Sequence, residues 1–325
     1  MKYLSLIAGL TLACASQAAE YTVQKDIAYL GADRQEKMDA YIPSMKFPRP
    51  LPVVIWIHGG GWSGGSKSGG RERNICQTLA ENGYAAFSID YLVNKNLGKK
   101  AAKAPSAPAA TTEQAGDDPS TGDVVEKDDA DAKAPWPQNF YDCKSALRFI
   151  RKERVQFGID PARIAVSGGS AGGHLALMLG TTANDAEMNK GGLYTDQSNR
   201  VSCILDFYGA SAITEQKRII KFAGKTPEET KANAWAASPV NHLGKDTPPT
   251  LILHGTKDGT VSIKYSRDLA KRMEALAIPY QFIEIPGAGH SFDLQPKEMD
   301  LRPAVLEFLA KYLGKDRPTN LPRVP

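Results

Sequence analysis

Three short stretches of this chain carry residues suited to acyl transfer: Ser170 in Gly168-Gly169-Ser170-Ala171-Gly172, His290 in Gly287-Ala288-Gly289-His290-Ser291-Phe292, and Asp258 in His254-Gly255-Thr256-Lys257-Asp258. A serine hydroxyl is a weak nucleophile at neutral pH, so a base must take its proton and an acid must orient that base. The G-x-S-x-G spacing lies between a short apolar run, Ile164 to Val166, and a stretch of helical composition, Ala171 to Leu179. A strand that turns sharply into a helix exposes the middle residue, and the flanking small residues let the two elements approach closely. The helix also aims its free N–H groups and positive dipole end at the serine, where an oxyanion would form.

The base is chosen among five histidines. His174 falls one helical turn beyond Ser170 and should point along the helix, His242 belongs to an expected lid, His254 sits inside an apolar strand, and His58 reads as a residue that ties down a loop. His290, in a glycine loop after the last expected strand, is the candidate base. For the acid, Asp258 follows the end of a strand, whereas its rival Asp206 is embedded in Val201 to Tyr208. Asp258 is the candidate acid, and the order Ser170, Asp258, His290 results.

A second glycine cluster, His58-Gly59-Gly60-Gly61-Trp62, ends the continuous apolar run Val53 to Ile57. Glycines there suit backbone N–H groups that must come close to a ligand. A phosphate loop would need a Gly-Lys-Ser/Thr at a spacing this chain lacks. Gly60 and Gly61 are therefore expected to supply oxyanion-hole donors from one side and Ala171 a third from the other. Trp62 and Trp136 are the candidates for lining the substrate pocket.

These residues need a scaffold. Tyr21–Tyr29 and Lys37–Ile42, joined through Gly31-Ala32-Asp33, read as an antiparallel edge pair. From Val53 onward strands alternate with helices: strands at Val53–Ile57, Tyr84–Tyr91, Ile164–Val166, Val201–Tyr208, Pro249–His254 and Tyr280–Ile285, and helices at Arg71–Asn82, Tyr141–Phe157, Ala171–Leu179, Ser262–Ala277 and Pro303–Leu313. Such alternation predicts an α/β fold whose mainly parallel central sheet has helices on both faces, with the site at the carboxyl ends of its strands. Residues 213 to 245 are expected to form a small lid. Asp160-Pro161 reads as a helix cap with proline at the first helical position, a structural part.

Length and composition bound the rest. At 325 residues and 42% hydrophobic content the chain can build one large core. Residues 1–18, with Lys2, an apolar run and small residues at Ser16 and Ala18, read as a secretory signal peptide too short to span a bilayer, which predicts a secreted or periplasmic protein. Cys14 approximates a lipoprotein signal poorly. The domain then covers 20–313, interrupted at 95–137 by an insertion expected to be disordered, because its large apolar side chains are Leu97, Val124, Val125 and Trp136 alone. The tail 314–325 is expected to be loose. A net charge of +4 without a concentrated basic face excludes nucleic acid as main partner. Cys76, Cys143 and Cys203 lack metal-like spacing, form at most one disulfide, and are expected as three buried thiols. No metal or cofactor is expected, no membrane span, and an ester of a small molecule or carbohydrate as partner.

The four motifs H-G-G-G-W, G-G-S-A-G-G-H, H-G-T-K-D and G-A-G-H-S-F resemble those of secreted α/β-hydrolase esterases related to hormone-sensitive lipase, most closely the branch of bifunctional feruloyl and acetylxylan esterases. The likeness runs from about residue 24 to 313. It implies a cofactor-free carboxylic ester hydrolase with Ser170 as nucleophile, Asp258 as acid and His290 as base. The sequence departs from the lipase branch in having Gly169 where an aspartate is usual, in its short segment before Val53, and in the 95–137 insertion. A serine peptidase of the prolyl oligopeptidase kind shares the triad order but usually carries a propeller. A non-catalytic binding protein on this fold would normally lack one of these groups.

Overall fold

The computed structural model describes residues 20–94, 135–213 and 226–314. The expected signal peptide, most of the insertion, the start of the lid and most of the tail lie outside the described residues.

One apolar strand organises the sheet. β3 (Leu51–Ile57) is buried on both faces: Val53, Ile55 and Ile57 enter one hydrophobic cluster and Val54 and Trp56 the other. Alternate side chains of a strand point to opposite faces, so a run without polar residues demands a layer on each side. β3 is paired in parallel with β4 (Ala85–Ile89) and with β5 (Ile159–Gly169). β6 (Cys203–Phe207), β7 (Thr250–Gly255) and β8 (Tyr280–Ile285) continue the parallel series beyond β5. Beyond β4, β2 (Met38–Pro43) is antiparallel both to β4 and to the edge strand β1 (Tyr21–Ile27). The eight-stranded order is β1-β2-β4-β3-β5-β6-β7-β8.

The helices divide between the two clusters. α1 (Gly70–Glu81) buries Ile75, Cys76 and Leu79 on one face, together with Val305, Phe308 and Leu309 of the closing helix. The other face takes α2 (Gln138–Lys152), the one-turn α3 (Arg154–Phe157) and α4 (Ala171–Thr181). The described part of the lid region holds α5 (Pro227–Ala236) and a 3-10 turn, Pro239–Asn241. α6 (Lys264–Ala275) completes the face of α2 and α4, and the closing helix is α7 (Arg302–Leu313). Cys76, Cys143 and Cys203 are buried free thiols.

Two expectations are corrected. The helix expected over 141–157 is split at Glu153, and its end is Gly158 in the left-handed conformation, φ 61°. Asp160-Pro161 caps no helix, because both residues lie within β5. The β3–β5 register jumps from Leu51–Ile159 to Val53–Ile164, and the extra residues make a local turn in which Asp160 accepts from Ala162 N–H at 2.9 Å and Arg163 Nε at 2.8 Å. An aspartate that bonds the backbone two residues on serves such a turn as readily as a helix start.

The approach of α4 to β3 is the tightest joint beneath the site. A β-carbon on Gly172 would stand 2.0 Å from Ile57 O and 2.5 Å from His58 O, backbone atoms that cannot yield. Gly172→Ala is therefore expected to destabilise the fold by at least about 2 kcal/mol, the scale of overpacking in a tight core; an unchanged midpoint in thermal or urea unfolding would show that helix and strand part freely. Among the described residues no helix is long and apolar enough to cross a membrane, and no group of His, Cys, Asp or Glu is arranged to hold a metal.

Candidate active site

Ser170 stands between β5 and α4 with φ 56° and ψ −120°, a conformation that a serine rarely adopts. Its N–H is held by Phe207 O at 2.9 Å, and its own carbonyl accepts from His174 N–H at 3.0 Å. The turn is thus pinned to the sheet on one side and to the first turn of α4 on the other, which leaves the hydroxyl turned outward.

His290 follows β8 and Asp258 follows β7, both at carboxyl ends of parallel strands. Ser170 Oγ lies 3.0 Å from His290 Nε2, and His290 Nδ1 lies 2.7 Å from Asp258 Oδ2. Burial alone would raise the Asp258 carboxyl, but hydrogen bonds from His254 and His290 outweigh it and hold the group well below the usual carboxylate range. An ionised carboxylate only accepts, so Nδ1 carries the hydrogen and Nε2 is free to receive one from the serine. The other oxygen of Asp258 accepts from the N–H groups of Thr260 at 2.8 Å and Val261 at 2.9 Å.

The glycine loop after β3 passes directly beside the serine. A β-carbon on Gly59 would stand 3.3 Å from Ser170 Cβ and 3.0 Å from Gly169 O. Gly60 O accepts from Ser63 N–H at 3.0 Å and Gly64 N–H at 3.1 Å, which closes the loop into a turn. Within the described residues neither the Gly60 nor the Gly61 N–H is engaged in a hydrogen bond. His58 anchors the loop from beneath: its Nδ1 donates to Gly59 O at 2.6 Å, its ring stacks on Tyr91 at 4.4 Å, and Tyr91 Oη donates to His58 O at 3.0 Å. Burial lowers the proton affinity of His58, as suits a buried tether.

His174 is fully buried, donates from Nε2 to Ala237 O at 2.6 Å, and is pushed down to about 4 by burial. Trp62 meets His174 edge-on at 5.2 Å; Trp136 lies 6.5 Å from that same ring and stacks on Phe140 at 5.1 Å. Both tryptophans are nearly buried. Asp206 is fully buried and accepts from Gly209 N–H at 3.0 Å rather than from a histidine. Burial pushes its carboxyl up to about 7.

Three residues at the site escape sequence reading. Tyr208, at φ 43°, sets its ring edge-on to His290 at 4.8 Å and donates from Oη to Phe292 O at 2.8 Å. Arg71 donates to Ser291 O at 3.2 Å, so the carbonyls on both residues after His290 are tied down. Tyr208 also crowds the glycine before Ser170: a β-carbon on Gly169 would stand 2.8 Å from Tyr208 Oη. A side chain at 169 would have to displace the Tyr208 ring from this place. His254 is the third, with Nε2 3.1 Å from Asp258 Oδ2. Its four-residue lead on Asp258 was the one available signal.

Tyr208→Phe keeps the ring against His290 and removes the tether to Phe292. A several-fold fall in turnover with little change in stability is expected, since a single neutral hydrogen bond contributes about 1 kcal/mol. Steady-state kinetics beside thermal unfolding would check this, and a turnover equal to wild type would show that the loop holds its place without the tyrosine.

Comparison with known proteins gives a consistent picture. The sequence profile of the family BD-FAE matches residues 38–108 and 129–273, which includes Ser170 and Asp258 and stops short of His290. The unmatched stretch 109–128 falls within the expected insertion. The chain is 26% identical over 306 residues to a probable carboxylic ester hydrolase, LipM, of Mycobacterium tuberculosis, covering 90% of this chain and 62% of that protein. It is 28% identical over 289 residues to Esterase LipC of the same organism, covering 84% and 61%. The chain thus spans under two thirds of the length of these relatives. Among solved structures, a truncated carbohydrate esterase from gut microbiota superposes with a TM-score of 0.71 at 20% identity, covering 92% of this chain and 99% of that one. That likeness shows the α/β-hydrolase fold.

Proposed function

As this chain belongs to the BD-FAE family, we propose that it is a serine carboxylic ester hydrolase that works through an acyl-enzyme on small acyl or carbohydrate-linked esters. The observation that carries this reading is the unbroken chain from Ser170 Oγ through His290 to Asp258, at 3.0 and 2.7 Å, beside the unengaged N–H groups of Gly60 and Gly61.

In this reading His290 Nε2 takes the hydroxyl proton as Ser170 Oγ attacks the ester carbonyl, and Asp258 stabilises the imidazolium that results. Gly60, Gly61 and Ala171 receive the oxyanion, each such donor contributing about 3 to 4 kcal/mol in the transition state. His290 then returns the proton to the departing alcohol, activates a water on the same path, and the acid is released. No cofactor enters the scheme. The motif resemblance and the likeness to a carbohydrate esterase support an acylated or feruloylated polysaccharide as natural substrate, and residues 1–18 support export, which N-terminal sequencing of the mature protein would test.

Initial rates on p-nitrophenyl acetate, acetylated xylan and methyl ferulate test the activity and rank the substrates together. Hydrolysis of at least one, with acyl-enzyme detected on Ser170 by mass spectrometry, is the expected result. Absence of hydrolysis of all three, or an acyl group carried elsewhere, would overturn the reading.

A further inference from the structure

Asp258 has two histidine partners, and the mechanism above uses one. His254 lies on β7, fully buried, four residues before the carboxylate. Its Nδ1 is 2.7 Å from Ser266 Oγ, and its Nε2 is 2.9 Å from Val261 O and 3.1 Å from Asp258 Oδ2. A peptide carbonyl and an ionised carboxylate can only accept, so Nε2 carries a hydrogen, shared between the two. Nδ1 faces a hydroxyl, which serves as donor or acceptor, and Ser266 on α6 thereby fixes the plane of the ring.

The four acceptor positions of Asp258 are filled in an uneven way. Oδ1 is held by Thr260 and Val261, residues of the same exposed turn, and Oδ2 receives His290 from a second loop. His254 is the one partner that stands on the sheet, on a strand paired along both edges with β6 and β8. The same Nε2–H bonds Val261 O, so the turn and the carboxylate are fastened to the sheet by a single group.

Resting on the serine-hydrolase reading, we propose that His254 is a positioning residue: its Nε2–H fixes Asp258 Oδ2 where His290 Nδ1 meets it, and Ser266 in turn fixes His254. The base is then held by a relay of Ser266, His254 and Asp258 rooted in β7 and α6. Loops alone would let the carboxylate drift, and a displacement of about 1 Å in catalytic geometry is enough to lose about a hundredfold in rate.

The test compares wild type with His254→Phe, His254→Gln and Ser266→Ala in p-nitrophenyl acetate kinetics and in the downfield proton NMR signal of His290 Nδ1–H. Phenylalanine keeps the ring and loses the donor, while the glutamine amide nitrogen reaches about the place of Nε2. His254→Phe is expected to lower kcat by roughly tenfold to a hundredfold with KM little changed, and to shift or broaden the signal, whereas His254→Gln restores most of both. A folded phenylalanine variant with wild-type kcat and an unmoved signal overturns the proposal, as does a glutamine variant no better than phenylalanine. If His254→Phe does not fold, Ser266→Ala decides: a lowered kcat with a moved signal supports the relay, and no change in either overturns it. Failure of the hydrolase reading would look different, as absence of Ser170-dependent hydrolysis in the wild type while the signal still reports on Asp258.

Discussion

Ser170→Ala is expected to leave less than a thousandth of the wild-type rate of ester hydrolysis, with a melting temperature close to that of the parent. The chemical loss is complete because no other hydroxyl is described at the head of α4 within reach of His290 Nε2, 3.0 Å from Ser170 Oγ. Removing the nucleophile from such a constellation typically lowers kcat by about 10⁶, the remainder coming from the oxyanion donors. The structural loss is small. Ser170 enters the fold through its backbone, N–H to Phe207 O and carbonyl from His174 N–H, and alanine keeps both bonds. Alanine must still adopt φ 56°, a strain that serine also bears. More than about a hundredth of the wild-type rate in a purified variant would remove Ser170 from the role of nucleophile, since single losses of this kind are far larger.

Asp258→Asn should lower turnover by about 10⁴-fold, the scale set by a base left in the wrong tautomer. All four groups that meet this carboxylate are donors: Thr260 and Val261 N–H on Oδ1, His290 and His254 on Oδ2. An asparagine offers one oxygen, so its NH₂ must face one pair of donors, and either the turn or the imidazole gives way. Asp206→Asn meets no such conflict, because the asparagine oxygen still accepts from Gly209 N–H. Its turnover should stay near wild type, and equal or reversed losses in the two variants would move the acid to Asp206.

The Asp206 variant also carries a pH signature. Burial raises this carboxyl from its ordinary 3.8 to about 7, so the folded state binds the proton more tightly than the unfolded chain. The stabilisation from that proton is complete below about pH 4 and is lost as pH rises toward 7. Asparagine does not titrate, so the melting temperature of Asp206→Asn relative to wild type should improve from pH 5 to pH 8. A difference that stays flat across that interval would show that Asp206 is ionised throughout.

The candidate reacting residues are largely legible in the sequence because chemistry needs particular types at particular spacings. G-x-S-x-G, the His58 glycine loop, and single Asp and His residues after successive strands all point to one site without coordinates. The fold is legible for a related reason: a run such as Val53 to Ile57, without a polar residue, satisfies its burial only between two helical layers. What the sequence determines by itself is thus the layered scaffold and the choice of candidate reacting groups, each encoded within a few neighbouring residues. Which groups hold them in register is decided by tertiary structure. Tyr208 reads as one more apolar strand residue until its ring meets His290 and its hydroxyl reaches Phe292, 84 residues away. Arg71 touches Ser291 across 220 residues. Asp160 reads as a helix cap because its local signal serves a turn equally well, and only the pairing of β5 with β3 chooses between them. His254 reads as a strand residue, and its second role appears when the turn after β7 folds Asp258 back onto the strand. Contacts of this kind depend on distances between segments that are remote in the chain or curl back on it, which residue types and local spacing do not encode.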